Sequence, residues 1–388
     1  MLHKEQSGRA NSSRLFYLDW IRILASFLIV IYHFPINLAA KTDWLHATVA
    51  NGGWGNAVVY VFFMISGAAL FYRYGKDKEF AILPYLKKRF LAIYPLFYIA
   101  YIAAFFIVFW ILGRTYTDVP SYAIIWSILG LDGYLHDLVP NFFTVGEWFI
   151  GAIILVYLCF PVLRFIAKRN GTGWLLCLLA LPAVYFMLFP SPFGMEAKKN
   201  LFIDLFFFMA GAWLEECRGK MQQEIKEEKE TDRENEGRSG FWHWHGKIMA
   251  ASIIGLLFLL VWLFSPKPLF AKVLSFAQGK GQNLTDSFAA ISMYLFLLSA
   301  ADAIPRLFPL AAGVISRLAG YTYGVFLIHH FVESRICSHF DESIMTNRDR
   351  LVLLLLCLTG VAIATVLLYR AKMLLTSFLF SENSKKSR

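Results

Sequence analysis

The segment from Tyr17 to Asn37 is apolar and long enough to cross a membrane, yet it carries three ionisable side chains. About 20 residues of α-helix, at ~1.5 Å each, span a hydrocarbon core of ~30 Å. Asp19, Arg22 and His33 lie within this segment. Ionisable groups at membrane depth are costly unless they face a protein interior or a wet cavity. The chain must therefore adopt a fold that covers one polar stripe of a membrane helix.

Two of these side chains share one face of the predicted helix. Arg22 and His33 are eleven residues apart, so at ~100° per residue they point within ~20° of each other and lie ~16 Å apart along the axis. A second interpretation is open. Arg22 can be a cation at the membrane rim that pairs with Asp19 at i,i+3, and His33 an interfacial histidine next to Pro35.

The composition supports an integral membrane protein. Of the 388 residues, 58% are hydrophobic and 16% are charged, whereas soluble domains average ~25% charged residues. The formal net charge of +10 resides mainly in short loops between apolar runs, which is typical of charges that set membrane orientation and contact anionic lipid. We therefore expect membrane lipid around the chain and no nucleic-acid partner. The five cysteines show no CxxC spacing, which predicts neither a disulfide framework nor a metal site.

Ten apolar runs predict an all-α bundle of about ten transmembrane helices. Basic residues such as Lys87 and Arg169 cluster in alternate loops, which predicts that both termini are cytoplasmic. The runs are 16 to 38, 56 to 74, 90 to 112, 146 to 166, 174 to 190, 200 to 216, 247 to 265, 286 to 304, 316 to 335 and 351 to 372.

The same pattern predicts the domain organisation. A cytoplasmic tail (1–15) precedes one membrane domain (16–372), and a second tail (373–388) follows it. Residues 217–246 are rich in charge without apolar periodicity, which indicates a cytoplasmic linker between spans six and seven. The apolar piece from Tyr122 to Leu131 is too short to cross and predicts a re-entrant or interfacial segment. We expect no second folded domain, so the membrane bundle or a separate protein would complete any chemistry.

Four later segments carry further motifs. The second run contains Ser66-Gly67, and the third begins after Lys87-Lys88-Arg89. The fourth run opens Gly146-Glu147-Trp148, and the ninth contains Ile328-His329-His330. With the Asp19, Arg22 and His33 spacing, these segments resemble acyltransferase family 3, the bacterial membrane O-acetyltransferases of the O-antigen and peptidoglycan type, over approximately residues 15 to 370.

The resemblance implies a multi-pass enzyme of the bacterial inner membrane. Such enzymes transfer an acyl group, usually acetyl, from acyl-CoA to a hydroxyl of an envelope glycan or its lipid-linked precursor, without a metal, and glycan-synthesis proteins are possible partners. The implied catalytic residues are His33, Glu147 and His329. The implied donor-binding residues are Arg22, Lys88 and Arg89. Ala92 replaces a further arginine of the family pattern, and Arg73 or Lys87 can compensate for that loss. Supporting roles are implied for Asp19, Ser66 and Tyr323.

Each assignment has a structural alternative. Ser66 and Gly67 suit close helix packing, Glu147 suits the positive end of a helix dipole, and His329 suits an interfacial pair with His330. Asp204 is a minor candidate that can also face the outer water in the first turn of its helix. For the whole chain, one alternative is an exporter or flippase of a polysaccharide or lipid-linked saccharide, and another is a structural partner of a glycan synthase.

Overall fold

The computed structural model describes residues 15–38, 54–113, 119–143, 145, 147–191, 194–231, 250, 253–257, 260, 281–307 and 309–386. Within these residues the chain is helical and forms no strand, which confirms the all-α class. The α-helices are α1 (Phe16–His33), α2 (Trp54–Tyr74), α3 (Ile82–Phe106), α4 (Ile124–Leu129), α5 (Asp132–Leu135), α6 (Glu147–Asn170), α7 (Thr172–Leu188), α8 (Leu201–Thr231), α9 (Gly281–Leu307), α10 (Pro309–Leu318), α11 (Thr322–Cys337) and α12 (Asn347–Lys386).

Seven helical segments in the described ranges are long and apolar enough to cross a membrane. They are Phe16–His33, Trp54–Tyr74, Ile82–Ile111, Trp148–Asn170, Gly281–Ala301, Ala311–Cys337 and Asn347–Ser377. Each overlaps one predicted span. The predicted fifth span is the shorter apolar helix α7, and the sixth is the first half of α8. The seventh, 247 to 265, lies mostly outside the described residues, so the total of ten and the cytoplasmic termini remain predictions.

Helix ends meet in two groups, which define two ends of the bundle. At the histidine end, α1 finishes at His33 while α2 and α9 begin: the Tyr32 ring lies 5.0 Å from the Trp54 ring, and Asn56 donates to Asp286 at 3.0 Å. At the arginine end, α1 begins and α2 finishes. There, the Tyr17 hydroxyl donates to Glu215 of α8. The α1 helix therefore runs opposite to α2, α8 and α9.

The centre of the bundle is a close crossing of α2 and α8. A methyl group added at Gly67 would lie 1.7 Å from the carbonyl oxygen of Phe208, and one added at Gly211 would lie 1.9 Å from that of Met64. Only glycine permits backbones to approach so closely, as small residues do at membrane helix interfaces. The Ser66-Gly67 motif thus lies at a packing contact, as its structural alternative requires.

Two boundaries differ from those expected. The basic triplet Lys87-Lys88-Arg89 lies in the second turn of α3 and not in the preceding loop, because lysine and arginine are good helix formers and Pro84 is tolerated in a first helical turn. Helix α8 continues to Thr231, well into the segment predicted as a linker. The linker residues 232–246 lie outside the described part of the chain.

The short apolar piece from Tyr122 to Leu131 contains α4 and is followed by α5, and neither helix is long enough to cross a membrane. Hydroxyls of Tyr94 and Tyr98 on α3 donate to the carbonyl oxygens of Leu129 and Ile128 at 2.9 and 2.8 Å. Burial raises the pKa of Asp132, which accepts a hydrogen bond from Ser127, to about 6. The two tyrosine contacts attach the piece to α3.

Candidate active site

The polar stripe of α1 faces the protein interior. Helix α1 is continuous from Phe16 to His33, so the angular argument for Arg22 and His33 applies along its whole length. Ser26 and Ile29 lie between them, within ~40° of the Arg22 direction, and are only 3% and 2% exposed. An interior stripe with a cation near one end and an imidazole at the other is the framework of the site.

Three histidines meet at the histidine end. The ring centroid of His33 lies 4.9 Å from that of His329 and 5.2 Å from that of His330. His329 is fully buried, whereas His33 and His330 are half-buried. Helix α11 thus brings two imidazoles from near the other end of the sequence against the last residue of α1.

The hydrogen bonding of His329 defines its tautomer. Its Nδ1 lies 2.7 Å from the carbonyl oxygen of Phe326. A carbonyl oxygen can only accept, so Nδ1 carries the proton and donates it. The Nε2 atom has no hydrogen-bond partner among the described residues. In its neutral form His329 therefore has its free lone pair on Nε2.

A buried carboxylate completes this cluster. Glu333 is 0% exposed and lies one turn after His329 on α11. The side-chain amide of Asn37 donates to Glu333 Oε2 at 2.9 Å and to the carbonyl oxygen of His33 at 3.0 Å. Sequence reasoning did not select Glu333 or Asn37. The i,i+4 spacing of His329 and Glu333, which places them on one helix face, was the available signal.

Glu147, the carboxylate expected beside His33, begins α6, but its side chain lies outside the described residues. The start of α6 does lie near the cluster, because the rings of Phe149 and Phe326 are 4.7 Å apart and Phe326 is one turn before His329 and His330. A role for Glu147 therefore remains a prediction, and Glu333 is the carboxylate whose contact with the end of α1 is described.

The arginine end holds a second polar group. Arg22, 30% exposed, pairs with buried Asp19 at 3.5 Å. The buried Glu215 accepts from the Tyr17 hydroxyl, and Arg218 lies 3.7 Å from Glu215 and 4.3 Å from the Tyr17 ring. This group joins α1 to α8 and was not anticipated from the sequence.

The other predicted donor-binding cations have different surroundings. Lys88 and Arg73 are exposed, as is Lys87. Arg89 is half-buried, with its guanidinium 5.6 Å from the Tyr157 ring and 6.0 Å from the Tyr85 ring. Its Nε has no hydrogen-bond partner among the described residues. Of these four side chains, Arg89 is the one held by packing.

Three further candidates have structural contacts. The hydroxyl of Tyr323 donates to the carbonyl oxygen of Ile93 at 3.2 Å and so joins α11 to α3. Ser66 is half-buried beside the glycine crossing. Asp204 is fully buried, so the alternative that it faces the outer water is wrong.

Arg164 on α6 has a clear structural function. Arg164, 7% exposed, donates to the carbonyl oxygens of Tyr74 and Asp77 at 2.8 and 2.5 Å and lies 4.6 Å from the Phe80 ring. A cation at the last carbonyls of a helix stabilises its negative end. Arg164 thereby fixes the connection that leads from α2 into α3.

The described residues contain no group of three or more His, Cys, Asp or Glu side chains placed to hold a metal ion. Comparison with curated proteins and with solved structures finds no match. A family model described as an acyltransferase domain matches residues 15–370, nearly the whole chain. The chain therefore belongs to acyltransferase family 3 and is a membrane acyltransferase.

Proposed function

We propose that this enzyme transfers an acyl group, most simply acetyl, from acyl-CoA to a hydroxyl of a cell-envelope glycan or its lipid-linked precursor. The observation that carries the proposal is the imidazole cluster inside the bundle, with His33 and His329 4.9 Å apart between ring centroids. It lies at one end of an interior stripe that has Arg22 near the other end. A hydroxyl acceptor needs a base to remove its proton, and histidine is the usual side chain for this task near neutral pH.

The arginine end is suited to the donor. Phosphate groups are bound by arginine forks and by lysine point charges, and Arg22, Arg89 and Lys88 supply these. The ~16 Å between Arg22 and His33 along α1 calls for a donor whose reactive group is far from its phosphates. Coenzyme A has that form, since its thioester is at the end of a long pantetheine arm.

The transfer then needs one base and no covalent enzyme intermediate. The His33 imidazole takes the proton from the acceptor hydroxyl as its oxygen forms a bond to the thioester carbonyl carbon. The carbon–sulfur bond breaks, and the departing thiolate receives the proton from the imidazolium, giving an ester and free coenzyme A. His329, whose Nδ1 donates to the Phe326 carbonyl, and Glu333 keep a polar environment around the charge that develops on His33.

The test compares envelope glycans from cells that make the wild-type protein, His33→Ala or His339→Ala at matched levels. His339 is an exposed histidine just beyond α11, so its replacement controls for loss of an imidazole outside the cluster. Ester-linked acetate is measured by mass spectrometry. We expect His33→Ala to lose at least ~99% of the ester, since general bases contribute ~10²- to 10⁴-fold, while His339→Ala retains it.

The same measurement separates the rival functions. Loss of surface glycan with unchanged acetate per sugar would favour an exporter and contradict the proposal. Unchanged glycan and unchanged acetate in His33→Ala would remove His33 from the chemistry.

A further inference from the structure

The turn that follows α1 carries an amide at the edge of the imidazole cluster. Asn37 is one turn beyond His33, and its backbone N–H donates to the carbonyl oxygens of His33 and Phe34, each at 3.1 Å. Its side chain then bridges two elements, because Nδ2 donates to the His33 carbonyl at 3.0 Å and to Glu333 Oε2 at 2.9 Å. One residue thus ties the last turn of α1 to the carboxylate of α11.

The chemistry of the two partners requires an amide nitrogen here. A carbonyl oxygen and a carboxylate oxygen are both acceptors, so the bridging group must supply two donors. The Nδ2 group has two hydrogens and provides one to each. Without it, two groups with negative charge or partial charge would face each other in a buried setting, which costs more than the bonds themselves contribute.

The second oxygen of Glu333 points to a function beyond packing. Glu333 is 0% exposed, and its Oε1 has no hydrogen-bond partner among the described residues. His329 precedes Glu333 by four residues and His330 by three, so all three side chains project toward adjoining parts of one helix face. Asn37 therefore holds one carboxylate oxygen and leaves the other for a proton-bearing group in the cluster.

We propose that Asn37 is a positioning residue for acyl transfer, which it serves by fixing Glu333 against the end of α1 so that Oε1 stabilises the imidazolium formed in the reaction. This inference rests on the proposed function, since it concerns the same site. It predicts that the Asn37 amide affects turnover more than donor binding, because the donor phosphates lie at the arginine end.

The experiment uses the full-length protein in membranes, with labelled acetyl-CoA as donor and ester-linked label in the glycan fraction as readout. Asn37→Ala is expected to lower kcat by ~10- to 100-fold, the effect of a lost hydrogen bond to a charged group, with the KM for acetyl-CoA within ~twofold. Asn283→Ala is the matched control. The side-chain amide of Asn283, which is half-buried, also donates a hydrogen bond, to the Met187 carbonyl oxygen at 2.9 Å. Asn283 lies at the histidine end but outside the cluster.

The pH dependence of Asn37→Asp distinguishes a positioning role from a purely structural one. The new carboxylate has no donor when ionised, so activity should be at least as low as in Asn37→Ala. Two carboxylates that share a buried site repel each other, which raises the pKa of one of them well above the usual range of a carboxyl. Protonation restores one O–H donor, so the activity of Asn37→Asp relative to wild type should rise ~fivefold or more between about pH 8 and about pH 5.5. Glu333, His33, His329 and His330 are present in every variant, so the ratio to wild type at each pH removes their contribution.

The outcomes separate this inference from the function on which it rests. If membranes with the wild-type protein place no more acetyl label in the glycan fraction than membranes without it, the proposed function fails. If His33→Ala is inactive while Asn37→Ala and Asn37→Asp both match wild type at every pH, the positioning role fails and the function stands. Equal losses in Asn37→Ala and Asn283→Ala, with no pH-dependent recovery of Asn37→Asp, would assign Asn37 to folding alone.

Discussion

The two ends of α1 differ in how their polar groups are held. At the histidine end, three imidazole rings lie within 4.9 to 6.5 Å of one another, and Asn37 fixes a buried carboxylate beside them. At the arginine end, Arg22 is paired with Asp19 over 3.5 Å, while Lys88 and Arg73 are exposed. The histidine end is a closely packed group of polar side chains, whereas the arginine end is largely a charged surface.

This difference suits a bisubstrate reaction. Catalytic side chains must keep a fixed geometry to act on a reacting atom. Packing in the protein interior therefore sets their positions before substrate binds. Charges that hold phosphates can remain hydrated and mobile, because attraction between opposite charges needs less exact placement. We therefore expect substitutions at the histidine end to change turnover and those at the arginine end to change donor affinity.

The largest effect should come from the helix crossing that lies between the two ends. A Cβ at Gly211 would lie 1.9 Å from the Met64 carbonyl oxygen, whereas one at Gly219 on the same helix meets nothing within 4 Å. Gly211→Ala should destabilise the protein by ~3 kcal/mol or more, and Gly219→Ala should be neutral or slightly stabilising. Thermal unfolding in detergent measures both. Equal melting temperatures would show that α2 and α8 are not so closely packed.

The next largest effect should separate two adjacent histidines. His329 is fully buried with Nδ1 on the Phe326 carbonyl, whereas His330 is half-buried. We expect His329→Gln to lower kcat by about 100-fold, because it removes the buried imidazole that packs against the charge developing on His33, and His330→Gln to lower it by less than about tenfold. Steady-state transfer from labelled acetyl-CoA is the measurement. A larger loss in His330→Gln would move the chemistry to the more exposed ring.

The fold could be predicted from sequence because membrane helices are encoded locally. The apolar run from 56 to 74 corresponds to α2 (Trp54–Tyr74), and six other candidate spans match in the same way. The predicted helix boundaries were wrong where hydropathy and helix propensity disagree. The basic triplet in α3 and the acidic continuation of α8 are polar, so hydropathy excluded them, yet their residues favour helix.

The site was predictable only in part, because its contacts join distant segments. The spacing of Arg22 and His33 identified one stripe, and the family resemblance supplied His329. No local pattern indicates that Asn37 would meet Glu333, 296 residues away. A glutamate near the end of a span is normally interpreted as an interfacial charge, so Glu333 was missed, and Glu147 was selected in its place. Roles for both glutamates await measurement.

At the arginine end, we expect Arg89 to contribute most among the four cations on α2 and α3. Its guanidinium is half-buried between Tyr85 and Tyr157, so less side-chain entropy is lost on binding a phosphate than for a mobile lysine. Arg89→Ala should raise the KM for acetyl-CoA about tenfold with kcat nearly unchanged. Lys87 is exposed and lies two residues before Arg89 on α3. Lys87→Ala should raise the KM for acetyl-CoA less than about threefold. A fall in kcat with constant KM for Arg89→Ala would contradict a donor-binding role.

The smallest effect should be at Arg73, which is exposed in the last turn of α2. A hydrated cation adds little to binding, and its contribution is screened by salt over ~8 Å at physiological ionic strength. Arg73→Ala should therefore raise the KM for acetyl-CoA less than about twofold at 0.15 M salt, and by more at about 0.01 M salt, where the Debye length is ~30 Å. Measuring KM at both ionic strengths for Arg73→Ala and Arg89→Ala tests the contrast between surface and packed charge. A tenfold, salt-independent effect at Arg73 would mean that it is enclosed with the donor, and the arginine end would then be as ordered as the histidine end.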